Sequence, residues 1–338
     1  MNKLSLYWKN FGMLAVLVLL AAGFSLSSPS TFFTSTTLFN ILKQASVLGV
    51  LSCGVTLLLI MGELDISIGP RVAFITLACG KMLNAGYPIW TVVLGALIIG
   101  ALTGALNSIL AQLLHTFLFV VTMGTMYIWT GIGFLYNGAS TLYGFPAAFK
   151  NISQFQFFGF LPSIILIFAA CAVVSGFILA KTYFGRYIYA IGGNREAAYL
   201  AGIDVKKNTI FAHMLAGAFI GLGSIILMSR TMIATANTGS SYAFDCITAC
   251  VLGGVLIIGG QGTMFQAMLG VLVINVLFNG LTILSVSDFW QMVLKGMILL
   301  LAIGLEVLQR HAKVNLADDV DTKQDKTTGL RLETGLSK

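Results

Sequence analysis

Long, uninterrupted apolar runs dominate this chain, separated by short polar punctuation. Ten such runs stand out, at 11–26, 45–61, 72–87, 89–111, 116–136, 160–180, 209–229, 244–258, 264–284 and 289–308. A helix rises 1.5 Å per residue, so about 20 apolar residues cross the ~30 Å of bilayer hydrocarbon. None of the runs alternates between apolar and polar positions as the strands of a membrane barrel do. The pattern predicts an all-α integral membrane protein with about ten transmembrane helices.

Composition sharpens this reading. The 338 residues are 57% hydrophobic and only 9% charged, whereas a soluble domain carries charge on about a quarter of its residues. The net charge of +7 is a topology signal with no need of nucleic acid as a partner. Lys3 and Lys9 precede the first run, Lys181, Arg186, Arg195, Lys206 and Lys207 follow the sixth, and Arg310 and Lys313 follow the tenth. With ten crossings these clusters share one side, which the positive-inside rule makes the cytoplasm, so both termini are expected there. Lys43, Lys81, Lys150 and Arg230 are scattered singly on the other side. The first run, with its basic start and following "SLSS", also has features of a cleavable leader; retention is the expectation.

Two segments interrupt the runs. "GELDISIGPR" (62–71) places Glu63 and Asp65 before a Gly69-Pro70 break, with Asp65 and Ser67 positioned to cap the broken helix end. Five runs later, "YAFDCITACVLGGVLIIGGQG" carries Asp245 at its start and Gly253-Gly254 in its middle. An odd offset means that the two segments run in opposite directions. Gly-interrupted segments at corresponding places in two inverted halves point to a transport pathway, with Asp65, Ser67, Gly69, Asp245, Gly253, Gly254 and Asn279 as candidate pathway or hinge residues. The plainer reading of both aspartates is a helix cap at the membrane interface. An ion-coupled secondary transporter using Glu63, Asp65 or Asp245 is the alternative transport reading. Gly100/Gly104 and Gly217/Gly221 are spaced for close helix packing. His115 and His213 fall at predicted span ends. Cys53, Cys79, Cys171, Cys246 and Cys250 lie within runs, where a buried thiol is a small hydrophobe.

The most structured polar passage is "GGNREAAYLAGIDVKKN" (192–208). Asn194 is a good N-cap, Glu196 lies in the first turn, and Gly202 stands where a left-handed residue ends a helix. A helix of about seven residues is unstable alone in water, so its careful capping suits a docking element; an ordinary solvated loop is the other reading. Ala197, Leu200 and Ala201 would form a small knob flanked by Arg195, Lys206 and Lys207, and Asp204 would cap the next span.

At this point the sequence resembles a known family. "FGRYIYAIGGNREAAYLAGIDVKKNTIFAHMLAGAFIGLGSII" is similar to the cytoplasmic coupling loop in permease subunits of ribose-, xylose- and galactose-type ABC sugar importers. "LDISIG", "TMGTMYIWTGIGFLYNG" and "FDCITACVLGG…GGQGT…FNGLTIL…FWQMVLKGMILLLAI" resemble further family motifs in order across residues 30–310. The resemblance implies ten spans with an inverted, pseudo-repeated core as in type II ABC importers. It implies a permease domain over 1–313, with a coupling loop at 182–208 in which Gly192, Gly193, Asn194, Arg195, Glu196, Ala197, Ala198, Leu200, Gly202 and Asp204 meet the ATPase. It further implies a second permease copy or homologous permease, an ATP-binding-cassette subunit that holds ATP and Mg, an extracytoplasmic sugar-binding protein, and residence in a bacterial inner membrane. No catalytic residue, cofactor or metal is expected in this chain, which lacks phosphate-loop, His-Glu-x-x-His and Gly-x-Ser-x-Gly patterns. Ala243, Gln261 and Thr130 depart from the family pattern, standing where an acid, a base and an arginine are usual. Residues 314–338 are polar and of mixed charge, and are expected to form a disordered cytoplasmic tail.

Overall fold

The computed structural model describes residues 3–304 with 307 and 308, and side chains from residue 12 onward. The tail at 314–338, with the expectation attached to it, lies outside the described residues. The chain runs through α1 (Lys3–Ser27), a short α2 (Pro29–Phe32), α3 (Ser35–Ile60), α4 (Ile68–Asn84), α5 (Ile89–Leu113) and α6 (Leu118–Asn137). A 3₁₀ turn at Ala147–Lys150, α7 (Asn151–Gln154) and a two-residue antiparallel pair, β1 (Gln156–Phe157) with β2 (Leu161–Pro162), then lead into α8 (Ser163–Lys181). There follow α9 (Tyr183–Gly193), α10 (Arg195–Leu200), α11 (Val205–Thr231), α12 (Tyr242–Gly253) and α13 (Met264–Ile283). Residues 288–304 form the last described helical stretch, α14.

Among the described residues, six helices are long and apolar enough to cross a membrane: α3, α5, α6, α8, α11 and α13. The apolar parts of α1 (Gly12–Ser27) and α12 are shorter, and α4 spans 17 residues with Arg71 and Lys81 inside it. The run at 244–258 is helical only to Gly253. Gly254 takes the left-handed conformation at φ +103°, and the backbone beyond it to Thr263 is irregular.

Helices α3 and α11 form the centre. Of their most apolar windows 83% and 67% are buried, against 33% for α5 and α6 and 28% for α8, whose remaining apolar faces suit lipid. The α5–α11 contact is a glycine seam. A Cβ on Gly100 would stand 2.1 Å from the Gly217 carbonyl oxygen, one on Gly104 2.1 Å from that of His213, and one on Gly221 2.2 Å from that of Ala96. The expected close-packing role of these glycines is thus observed. Backbone-to-backbone approach of this kind is how helices associate where lipid removes the hydrophobic drive. On the opposite flank α1 lies along α13, the Phe24 ring covering Gly280.

Candidate functional site

The polar helix forms as its sequence directs. In α10 the Asn194 side chain accepts from the Ala197 N–H at 2.9 Å, and Glu196 occupies the first turn. Gly202 closes the helix at φ +84°, with its N–H on the Tyr199 carbonyl and that of Ile203 on the Ala198 carbonyl. Asp204 caps α11 through the Lys207 N–H at 3.0 Å. That amide, and the Lys207 ammonium 3.0 Å away, hold its carboxyl below the usual range. Ala198 is buried, while Tyr199 and Leu200 are 70% and 78% exposed. Six residues of helix with an apolar tip in water are unstable alone, so what holds α10 is decisive.

Besides the packing of Ala198, one ion pair ties it to the end of α3. Arg195 Nη1 donates to Glu63 Oε1 at 2.7 Å, and Nη2 reaches the Thr209 hydroxyl at 3.4 Å. Glu63 sits in the turn that ends α3 and is 7% exposed. Burial raises its carboxyl pKa, partly opposed by the Arg195 guanidinium. Alongside, α9 was not anticipated from the sequence as a separate helix. Its Gly192 is packed so that a Cβ would stand 1.9 Å from the Ile60 carbonyl oxygen, which itself accepts from the Gly260 N–H at 2.7 Å. Three backbones therefore meet at the end of α3, and Tyr189 adds a hydrogen bond to the Gly262 carbonyl at 2.7 Å. Gly193 is open to any side chain. Between α10, the Glu63 turn and the α5–α6 connection lies a groove of about 1430 Å³.

Deeper in, the structure corrects the sequence reading of "LDISIGPR". Ser67 occupies the N-cap position of α4 but makes no capping bond. Its hydroxyl donates to Asp65 Oδ1 at 2.6 Å, as does its N–H at 2.8 Å. Asp65 is 3% exposed, and Arg71 meets its other oxygen at 2.9 Å. Arg71 also donates to Thr103 Oγ1 and the Gly100 carbonyl, each at 2.9 Å. A buried ion is tolerated only with such complete pairing. Gly69 leaves room for the loop after α11, a Cβ there meeting the Gly239 oxygen at 2.7 Å. His213 is buried too. It lies inside α11, 1% exposed, with neither ring nitrogen hydrogen-bonded.

At the other end of the helices, Asp245 in the first turn of α12 pairs with Lys295 at 2.9 Å. Gly253 permits close α12–α13 packing, a Cβ there standing 2.1 Å from the Gln266 oxygen, and Gly254 supplies the helix stop. Asn279 on α13 has a buried, unpartnered Oδ1. Arg71 and Lys295 were missed as partners in the sequence; the available signal was a basic residue within an otherwise apolar helix downstream of each aspartate.

Every acidic side chain singled out as a possible coupling-ion ligand thus has a fixed cation: Glu63 with Arg195, Asp65 with Arg71, Asp245 with Lys295. That arrangement gives the ion-coupled alternative no support. Among the described residues no His, Cys, Asp and Glu group is arranged to hold a metal, and the five cysteines are free and buried.

Residues 37–303 match the family described as "Branched-chain amino acid transport system / permease component". The chain is 36% identical to the Galactose/methyl galactoside import permease protein MglC of Salmonella typhimurium over 332 residues, 93% of this chain and 99% of that protein. It is 33% identical to the Ribose import permease protein RbsC of Escherichia coli over 297 residues, 86% of this chain and 91% of that protein. To the D-allose transport system permease protein AlsC of Escherichia coli it is 29% identical over 305 residues, 90% and 93% respectively. No solved structure matches the chain. With apolar spanning helices, a glycine seam, a capped polar helix and a family match over most of its length, the chain belongs to the branched-chain amino acid transport system permease-component family.

Proposed function

We propose that this chain is the membrane-spanning subunit of an ATP-driven importer, forming the path for a monosaccharide or related polyol. The curated relatives carry galactose, ribose and allose in their names, which supports a sugar over the amino acid of the family description. ATP and Mg act on a separate ATP-binding-cassette subunit, an extracytoplasmic binding protein delivers the solute, and a second permease copy completes the path. The chain is a multi-pass protein of a bacterial inner membrane, with ten crossings and both termini in the cytoplasm.

An inverted core is supported by the packing scheme. Helix α3 packs on α12 and α13, while α11 packs on α4 and α5. Likewise α4 packs on α5 as α12 does on α13. Exchange of each helix for its counterpart five crossings away reproduces this pattern.

The observation that carries the proposal is the anchorage of α10. A helix too short to stand alone presents Tyr199 and Leu200 outward and is tied through Arg195 to Glu63 at the end of α3. A push on α10 by an ATPase subunit therefore reaches α3, and through the Glu63 turn the α4 end held by Asp65. The coupling element comprises Gly192, Gly193, Asn194, Arg195, Glu196, Ala197, Ala198, Leu200, Gly202 and Asp204, with Gly192 serving packing and Gly202 termination. Asp65, Ser67, Gly69, Asp245, Gly253, Gly254 and Asn279 line or hinge the path.

The test is co-expression of the chain with a tagged ATP-binding-cassette subunit and a binding protein, followed by co-purification and solute-stimulated ATP hydrolysis. Ala197→Trp, which enlarges the outward face of α10, should preserve membrane insertion but abolish stimulated hydrolysis. Undiminished stimulation in that variant would remove α10 from the coupling path.

A further inference from the structure

A second cavity, of about 390 Å³, lies between the ends of α3, α11, α12, α13 and α14 remote from α10. That is within the ~300–1,000 Å³ of small-molecule sites. Its charges do not cancel. Lys295 Nζ reaches Asp245 Oδ1 at 2.9 Å and Oδ2 at 3.1 Å, and Oδ2 also accepts from the Ser241 hydroxyl at 2.9 Å. The carboxylate is therefore occupied and offsets the lysine. Arg230, in the last turn of α11, lines the same cavity. Its guanidinium has no ion pair or hydrogen bond among the described residues; only its backbone carbonyl is used, accepting from Gln154. The side chain is half-buried, so a partly desolvated five-donor group faces the cavity with no counter-charge. Gln44 and Asn275 add uncharged polar groups to the wall. A planar guanidinium fork matches a carboxylate bidentately and a phosphate nearly as well, and amides suit hydroxyl groups.

We propose that this cavity binds an anionic polyhydroxylated solute, a sugar acid whose carboxylate pairs with Arg230 while its hydroxyls meet Gln44 and Asn275. The proposal deepens the reading of the chain as a small-solute permease and rests on it. The same anion chemistry is available from a phospholipid headgroup, and the experiment separates the two sources.

The full-length chain in nanodiscs of phosphatidylcholine, with or without phosphatidylglycerol, is titrated with D-galacturonate and with D-galactose. Galacturonate should bind saturably, about tenfold or more tighter than galactose, in both disc types, since one charge-assisted hydrogen-bonded contact is worth at least that ratio. Arg230→Gln should abolish the preference and Arg230→Lys retain part of it. Asp245→Asn, which frees the Lys295 charge, should tighten galacturonate binding several-fold. Absence of saturable galacturonate binding, equal binding of the two sugars, or a preference that survives Arg230→Gln overturns the proposal. So does acid binding that disappears when phosphatidylglycerol is present, which would assign Arg230 to a headgroup. If Arg230→Gln does not insert, Asp245→Asn decides, and unchanged or weaker acid binding in it overturns the proposal. Co-purification of the ATPase subunit with the same preparations tests the permease reading separately. Equal sugar binding with the subunit retained refutes only the anion site, and acid preference without the subunit refutes only the permease reading.

Discussion

Arg195 on α10 and Glu63 at the end of α3 lie 2.7 Å apart, although 132 positions separate them in sequence. The arginine is half in solvent and the glutamate almost wholly buried, with side-chain exposures of 52% and 8%. A charged hydrogen bond in such a place is worth about 1 kcal/mol after solvent screening. Arg195→Ala should therefore speed hydrogen exchange at the amides of residues 197–203 about fivefold. Glu63→Gln should do much the same, and the double variant should add little. Simple additivity of the two effects would show that the pair does not hold α10.

The same pair should respond to pH. Burial lifts the Glu63 carboxyl above its ordinary 4.5, so acidification protonates it earlier than a surface glutamate and releases Arg195. Because the folded state then binds the proton more readily than the unfolded one, stability rises slightly as pH falls through this window. Solute-stimulated hydrolysis should thus decline on the acid side while the melting temperature holds or increases. Glu63→Gln should remove that acid limb.

Asp65 and Arg71 call for a different experiment. Both are buried, so Arg71→Met leaves an unpaired carboxylate and should cost about 3–5 kcal/mol. Asp65→Asn strands the guanidinium and should also be poorly tolerated, although an asparagine would serve equally well as a helix cap. Combining the two should restore much of the loss. Fluorescence-detected size exclusion after graded heating reports all three.

Leucine at Gly104 tests the glycine seam. A Cβ there already meets the His213 oxygen at 2.1 Å, and backbone cannot yield as a side chain would. The variant should lose at least ~1–3 kcal/mol or fail to accumulate. Gly124→Ala on α6, where nothing lies within 4 Å, should be neutral in the same membrane fractions.

The parts legible in the sequence were those governed by local chemistry. Asn194 and Asp204 cap their helices because capping needs only a side-chain oxygen two or three residues from an unsatisfied amide. The Gly100/Gly104 and Gly217/Gly221 spacing announced close approach because four-residue repeats lie on one helix face. Depth was not legible. Asp65 and His213 border apolar runs, where side chains are expected to meet headgroups or water, yet both are buried among other helices. The Asp65 partner Arg71 is itself held by Gly100 and Thr103, which only the folded chain brings to it. The junction of Gly192 with Ile60 and Gly260 was equally hidden, since nothing local marks a glycine whose neighbour is another segment's backbone.

The seam between α5 and α11 also constrains how the molecule can move. With carbonyls facing glycines along two turns, the seam offers few side chains whose rotamers could cushion a small sliding displacement. A shift of one full turn would bring Ile225 to the place that Gly221 now fills opposite Ala96 or, in the other direction, His213 to the place that Gly217 fills opposite Gly100. The two helices are thereby locked as a single rod. Movement of one part of the bundle against another is therefore expected to carry α5 and α11 together, with the swivel elsewhere.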